Sequence, residues 1–133
     1  MAEKGRILLV DDEADFLFSV SVALRKNGYR IAVAENGNEA MLKILDARKS
    51  MDPFHLLVTD IRMPGMTGLN LMDAVKLCNI PTPFFAMTCF CDEELLRELK
   101  RRGCGEVIEK PFSPEELVGR IEGILDPNRC EAS

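Results

Sequence analysis

One segment of the sequence delivers an acid to the end of a buried strand. Residues 56–59 are apolar or β-branched and lead directly into Asp60, and Pro64 with two following glycines then prevents the strand from continuing. Three other apolar runs also meet polar residues, and these runs are 7–10 before Asp11 and Asp12, 84–87 before Thr88, and 107–108 before Glu109 and Lys110. The chain must therefore fold so that several buried strands each end on a polar group.

Helical patterns separate these strands along the chain. The predicted strands are 7–10, 30–34, 56–60, 84–88 and 106–109, and the predicted helices are 13–27, 37–50, 68–78, 93–102 and 114–125. Asn36, Asp92 and Ser113 are the predicted helix caps, with Glu39 and Glu116 placed to complete capping boxes. Alternating strands and helices predict an α/β fold with a doubly wound parallel sheet. Ligands bind such sheets at the carboxyl ends of the strands.

Composition excludes several classes of function. With 133 residues, the chain has the length of one domain, and its net charge of -5 argues against a nucleic-acid surface. The apolar runs are strand-sized and 1–6 lacks the pattern of a secretory signal, so we expect a cytoplasmic protein without membrane attachment. Five cysteines without repeated CxxC spacing suit reduced thiols better than disulfides.

Three carboxylates would share one cleft if the first and third strands are neighbours. Asp11, Asp12 and Asp60 would then repel one another unless a cation joined them. Carboxylate oxygens suit Mg²⁺, and the group contains no His or Cys of the kind that zinc prefers. Asp11 or Asp12 alone could also be a helix cap, but one cap does not explain two acids.

An ionised Asp beside such a metal is also a nucleophile toward phosphorus. Carboxylates form aspartyl phosphates, so Asp60 is a candidate phosphoacceptor. Phosphoryl transfer requires positive charge near the equatorial oxygens, which the Lys110 ammonium can provide. The Thr88 hydroxyl can donate a hydrogen bond to a phosphoryl oxygen.

These motifs together resemble the receiver domain of two-component response regulators, a CheY-like superfamily. The resemblance rests on Asp11-Asp12, on the D-x-x-M-P-x-x-G pattern that begins at Asp60, on Thr88, and on Lys110-Pro111-Phe112. It covers about 4–125, which would be the receiver domain, and 126–133 would be a tail or the start of a linker. The resemblance implies a flavodoxin-like fold with strand order 2-1-3-4-5.

The resemblance also implies a phosphoacceptor and a metal site. Asp60 would receive a phosphoryl group from a histidine kinase or a histidine phosphotransfer protein. Asp12 and Asp60 would bind Mg²⁺ directly, Asp11 would act through water, and the backbone carbonyl of Arg62 would complete the protein ligands. Such a module is not a classical enzyme, since its only chemistry is its own phosphorylation and dephosphorylation.

The resemblance further implies a conformational switch that responds to phosphorylation. Lys110 would pair with the phosphoryl group, its bond to Pro111 would be cis, and Thr88 would move toward the phosphate. The surface formed by the predicted fourth helix, fifth strand and fifth helix, 93–125, would bind an output domain or partner, or a second copy of the chain.

The sequence departs from the family pattern behind Thr88. Val107 replaces the aromatic residue that usually lies three positions before the Lys, and Cys89 and Phe90 replace the small residues that usually follow the Thr. Coupling between the phosphate and the surface is therefore expected to be altered or weak, with Phe90 as the candidate substitute for the missing aromatic.

Four alternatives accompany this hypothesis. A flavodoxin-like cofactor binder would need Gly, Ser or Thr where the chain has acids, and a haloacid-dehalogenase-like phosphatase would need an Asp where Glu13 stands. A receiver that is not phosphorylated would act as an interaction scaffold. Cys89 and Cys91 could form a thiol sensor or metal pair. His55 is assigned a structural role.

Overall fold

Five parallel strands form a single sheet, and a helix follows each strand. The structure is a computed structural model that describes residues 4–125. Its elements are β1 Gly5–Val10, α1 Ala14–Lys26, β2 Tyr29–Ala34, α2 Gly37–Lys49, β3 Leu56–Asp60, α3 Gly68–Leu77, β4 Phe84–Thr88, α4 Glu93–Arg101, β5 Glu106–Glu109 and α5 Pro114–Leu125. The strand order is β2-β1-β3-β4-β5, which confirms the predicted fold class and topology. The predicted tail, 126–133, lies outside the described residues.

The sheet separates two hydrophobic clusters. Alternate residues of β1 face opposite sides, so that Leu8 and Val10 join one cluster and Ile7 and Leu9 join the other. Buried residues of α2, α3 and α4 complete the first cluster, and those of α1 and α5 complete the second. Helices therefore cover both faces, which is why the central strands are apolar along nearly their whole length.

The predicted caps are confirmed at three helices. Each cap side chain accepts a hydrogen bond from the amide three residues later, and these caps are Asn36, Asp92 and Ser113. The Glu116 carboxylate in turn accepts a hydrogen bond from the Ser113 amide, which completes a capping box. Glu39 does not do the same for Asn36, because its carboxylate reaches one residue further back, to the Glu35 amide.

Two leucines of the helices are exposed to solvent. Leu77 is 83% exposed and Leu96 is 38% exposed. Leu77 follows the buried Val75 by two residues, which at the helical repeat places it about 200° around α3. Leu99 is the buried leucine of α4, and Leu96 lies beside rather than on its inward face. No helix within the described range is long and apolar enough to span a membrane.

The junction between β3 and α3 leaves no room for a side chain at Gly68. A Cβ atom there would lie 2.4 Å from the carbonyl oxygen of Asp60 and 2.9 Å from the Cα atom of Ile61. The Gly68 amide also donates to the Ile61 carbonyl at 2.9 Å. The last glycine of the motif that begins at Asp60 therefore packs directly on the backbone of the acid itself.

Gly68→Ala should destabilise the protein by more than about 2 kcal/mol, because the added methyl group would displace the strand-end backbone. Gly119→Ala is the matched control, since a Cβ atom there meets nothing within 4 Å. The control should gain up to about 1 kcal/mol from helix propensity. Urea unfolding measures both changes, and equal stability of Gly68→Ala and the wild type would contradict the packing described.

Candidate functional site

Backbone hydrogen bonds just beyond three strand ends fix the site's framework. The amide of Asp11 donates to Ala34 at 3.1 Å, and that of Lys110 donates to the Thr88 carbonyl at 2.7 Å. The Ile61 amide similarly bonds the carbonyl of the residue before Thr88, at 3.0 Å. Since β1 and β3 are direct neighbours with Val10 opposite Thr59, the acids that follow these residues lie side by side.

Three carboxylates meet at this edge, as predicted. Asp11 is fully buried, Asp60 is 7% exposed, and Asp12 is exposed to solvent. Each residue offers one oxygen, and these oxygens lie within 4.8 Å of one another. An all-oxygen donor set of this size suits a hard divalent cation. The structure therefore brings together the three acids that sequence reasoning selected for a metal site.

The ammonium group of Lys110 reaches into the same cluster. Its Nζ atom lies 2.8 Å from Asp11 Oδ2, 3.4 Å from Asp60 Oδ2 and 3.7 Å from Glu13 Oε1. The Lys110 side chain is only 13% exposed. Lys110 is therefore the counter-ion of the strand-end acids.

Burial and the neighbouring charges shift the pKa values of this cluster in opposite directions. Burial raises the pKa of the Asp11 carboxyl, and the hydrogen bond from Lys110 partly offsets this rise. Burial also raises the pKa of Asp60, with Lys110 opposing the rise and the Asp11 charge adding to it. For Lys110, burial favours the neutral amine, but Asp11 and Asp60 outweigh it and raise the pKa, so Lys110 stays charged.

The backbone after Asp60 folds back onto its carboxylate. The amide of Arg62 donates to Asp60 Oδ1 at 3.4 Å, which places the Arg62 backbone beside the acidic cluster. The Arg62 side chain itself is exposed. On the other side of the site, the Lys110-Pro111 peptide bond is cis, which confirms that expectation.

The Thr88 hydroxyl is turned toward its own loop. Oγ1 donates to the Phe90 carbonyl at 3.1 Å and accepts from the Phe90 amide at 3.3 Å. Phe90 is 61% exposed, so in this structure it does not fill a buried place behind Thr88. Val107 is partly buried and packs against the cluster under α2, α3 and α4.

Sequence reasoning missed two residues that contact the site. The ring of Phe16 lies 4.9 Å from Lys110 Nζ, measured to the ring centroid. Phe16 follows Glu13 by three residues, a spacing that places the two on one side of the start of α1, but no motif in the sequence links them to Lys110. The Glu109 carboxylate accepts a hydrogen bond from the Cys91 amide at 3.2 Å, a contact between β5 and the loop after β4 that no motif indicates.

The minor candidates have structural roles or little support. His55 Nδ1 accepts a hydrogen bond from the Arg6 amide at 2.9 Å, which confirms a structural role. Burial, Glu109 and Asp92 raise the pKa of the Cys91 thiol, which disfavours the reactive thiolate. Within 4–125, the cluster of metal-type ligands is the acidic one and includes neither Cys89 nor Cys91.

The sequence of this chain matches that of a known protein family. Residues 7–122 match the family described as the response regulator receiver domain. The chain belongs to this family. It is therefore a receiver domain of two-component systems, a class of signalling module that takes phosphate from kinases and regulates output domains or partners.

Known receivers share most of the chain's length. The probable chemotaxis protein CheY of Rhizobium etli is 30% identical over 128 residues, which are 94% of this chain and 95% of that protein. The transcriptional regulatory protein FixJ of Bradyrhizobium diazoefficiens is 30% identical over 125 residues, 94% of this chain and 58% of FixJ. The structure of Vibrio cholerae CheY4 crystallised at low pH has a TM-score of 0.83 and 32% identity, and the match covers 93% of this chain and 100% of CheY4.

Lys110→Met should tighten the binding of a divalent cation severalfold. The substitution removes a positive charge 2.8 Å from Asp11 and 3.4 Å from Asp60 but keeps an apolar stem. Calorimetric titration with MgCl₂ at neutral pH measures the change, and Lys100→Met removes an equal charge from the exposed face of α4 as control. Unchanged or weaker affinity in Lys110→Met would show that Lys110 does not compete with the cation.

Proposed function

We propose that Asp60 is the phosphoacceptor of this receiver and takes its phosphoryl group from a histidine kinase or a histidine phosphotransfer protein. The observation that carries the proposal is the position of the Asp60 carboxylate, at the carboxyl end of β3, between two other acids and the Lys110 ammonium. A carboxylate in this setting has a nucleophilic oxygen, a set of metal-type ligands and a cation within reach.

The proposed transfer is a displacement at phosphorus. An oxygen of ionised Asp60 attacks the phosphorus of the partner's phosphohistidine, and the phosphorus–nitrogen bond breaks. The electron pair of that bond stays on the ring nitrogen, and the donor ring, protonated at its second nitrogen, leaves as neutral imidazole. Water later attacks the phosphorus of the aspartyl phosphate, releases inorganic phosphate and restores the carboxylate. Asp60 needs no general base, because it is already ionised when it attacks.

The donor set fits Mg²⁺. Asp12 and Asp60 would bind the ion directly, Asp11 would act through water, and the Arg62 backbone carbonyl would be the remaining protein ligand. When bound, the ion neutralises charge on the phosphoryl oxygens. The Glu13 amide, which donates to Asp11 Oδ1 at 3.0 Å, helps to hold Asp11 in place for this role.

Lys110 and Thr88 would contact the phosphoryl group. Lys110 is charged and already lies 3.4 Å from an oxygen of Asp60, so a short movement would pair it with a phosphoryl oxygen. Thr88 would exchange its hydrogen bonds with Phe90 for one to the phosphate. The loop after β4 would follow, and it leads directly into α4.

The proposed output surface is formed by α4, β5 and α5. Leu99 is the buried residue of α4, so most of this helix is open to a partner. The surface would bind an output domain, a partner protein or a second copy of the chain. The chain spans 58% of the length of FixJ.

The domain limits and the compartment are also proposals. The receiver would comprise 4–125, consistent with the family match over 7–122, and 126–133 would be a tail or linker. The free thiols of Cys78, Cys89, Cys91 and Cys104 support a reducing compartment, which we take to be the cytoplasm.

An unphosphorylated scaffold is the second candidate function. It is favoured by Val107, which packs against the core where the family carries a movable aromatic. A scaffold would keep the fold and the α4–β5–α5 surface but would need no phosphoryl transfer. Phosphorylation of the purified protein separates the two functions.

The purified protein should gain one phosphoryl group on incubation with MgCl₂ and acetyl phosphate, as measured by intact mass. Asp60→Asn should gain none, because an amide oxygen is a poor nucleophile. Asp46→Asn, at an exposed acid of α2, is the matched control and should behave as the wild type. A phosphoryl group on Asp60→Asn would show that another residue is the phosphoacceptor. If the wild type gains no phosphoryl group from any small donor or kinase, the scaffold function is favoured.

Asp12→Ala should weaken Mg²⁺ binding by about tenfold or more, because it removes a charged ligand. Asp15→Ala removes the same charge from an exposed position in the first turn of α1 and controls for the general loss of negative potential. Calorimetric titration of both variants gives the comparison. If the two variants lose affinity equally, Asp12 acts through its charge and is not a ligand.

A further inference from the structure

An aromatic ring lies against the Lys110 ammonium. The Nζ atom is 4.9 Å from the centroid of the Phe16 ring, and the Lys110 side chain is 13% exposed. A cation within about 6 Å of an aromatic face is attracted by the ring's quadrupole, and more strongly where water is excluded. We propose that Phe16 is a positioning residue that holds Lys110 beside the phosphoacceptor carboxylate. This inference rests on the proposed function of Asp60.

A second ring holds Phe16 in this place. The rings of Phe16 and Phe112 have centroids 5.6 Å apart and are inclined at 76°, an edge-to-face contact. Both residues also pack against the hydrophobic cluster under α1 and α5. Phe112 follows Lys110-Pro111 in the chain, so the ring pair joins the start of α1 to the segment that carries Lys110. The Phe16 ring therefore has a fixed position from which to act.

Lys110 requires this restraint because its flexible side chain has three carboxylates within reach. Asp11 and Asp60 belong to the cluster, but Glu13, 3.7 Å away, has a side chain that is 68% exposed. An ammonium drawn toward Glu13 would be lost to the phosphoryl group. The Phe16 ring contacts the ammonium at 4.9 Å and so adds an attraction that favours the buried position of Lys110 over the exposed Glu13.

The ring contact also differs from the ion pairs in its response to the reaction. A bound metal ion and a phosphoryl group both change the charge around Asp11 and Asp60, and the attraction between these acids and Lys110 changes with them. The Phe16 ring is uncharged, and its contact with Lys110 does not depend on the state of the acids. Phe16 would therefore keep Lys110 in the site throughout phosphorylation and hydrolysis.

A double-mutant cycle separates positioning from ordinary core packing. Phe16→Leu should slow phosphorylation by acetyl phosphate about two- to fivefold at saturating Mg²⁺, the range expected for one cation–π contact. Its Mg²⁺ affinity should stay within about twofold of the wild type. In the Lys110→Ala background the same substitution should have no further effect, because there is no ammonium to position.

Two further variants complete the comparison. Phe16→Tyr keeps the ring face and should retain the wild-type rate. Phe18→Leu changes a phenylalanine of the same helix that is 70% exposed, and it should also leave the rate unchanged. An equal loss from Phe16→Leu with and without Lys110, or an equal loss in Phe16→Tyr, would assign Phe16 to packing alone and overturn the inference.

The contact itself has a readout that needs no phosphorylation. The protons on the carbon next to Lys110 Nζ should resonate upfield in lysine-labelled protein because of the Phe16 ring current. The shift should be kept in Phe16→Tyr and lost in Phe16→Leu, and its absence in the wild type would overturn the inference directly. If the wild type accepts no phosphoryl group, the proposed function fails and the positioning role with it. If the wild type is phosphorylated but the double-mutant cycle shows no coupling between Phe16 and Lys110, only the positioning role of Phe16 fails.

Discussion

Repulsion among Asp11, Asp12 and Asp60 is the constraint on which the site depends. Two of these carboxylates are almost completely removed from water, and burying charges of one sign together is costly unless a cation joins them. Lys110 supplies that cation, with its ammonium 2.8 Å from Asp11 and 3.4 Å from Asp60. A single positive charge leaves three acids undercompensated. The negative charge that Lys110 leaves uncompensated makes this edge of the sheet attractive to a divalent ion.

The sheet makes this crowding unavoidable. β1 and β3 are paired in register, so the residues that follow them must be neighbours, and hydrogen bonds beyond the strand ends hold their backbone. Gly68 adds a second restraint, because its close approach to the Asp60 carbonyl fixes where the chain turns after β3. The apolar clusters on both faces of the sheet thus hold the acids together in spite of their repulsion. Part of the free energy gained by burying the core therefore offsets the repulsion among the three acids.

Patterns in the sequence predicted the parts of this protein that depend on local chemistry. The ten elements follow from apolar periodicity and caps, and the strand ends follow from single residues such as Asp60 and Gly68. Side-chain contacts that no motif marks were not predicted. The Phe16 ring contacts Lys110 across 94 positions of the chain, and the Glu39 carboxylate accepts from the Glu35 amide rather than from that of Asn36.

The loop after β4 would transmit the effect of a phosphoryl group on Asp60 to the α4–β5–α5 surface. Val107 packs against the core and has no ring to move, so a change at Asp60 would reach the surface through the backbone of this loop. Turning the Thr88 hydroxyl toward a phosphoryl oxygen would break its two hydrogen bonds with Phe90. Phe90 is exposed, so water would replace those bonds at little cost. The Glu109 bond to the Cys91 amide would still join the loop to β5. In this receiver, coupling would therefore depend on the backbone just before α4 and on Glu109, rather than on a buried aromatic.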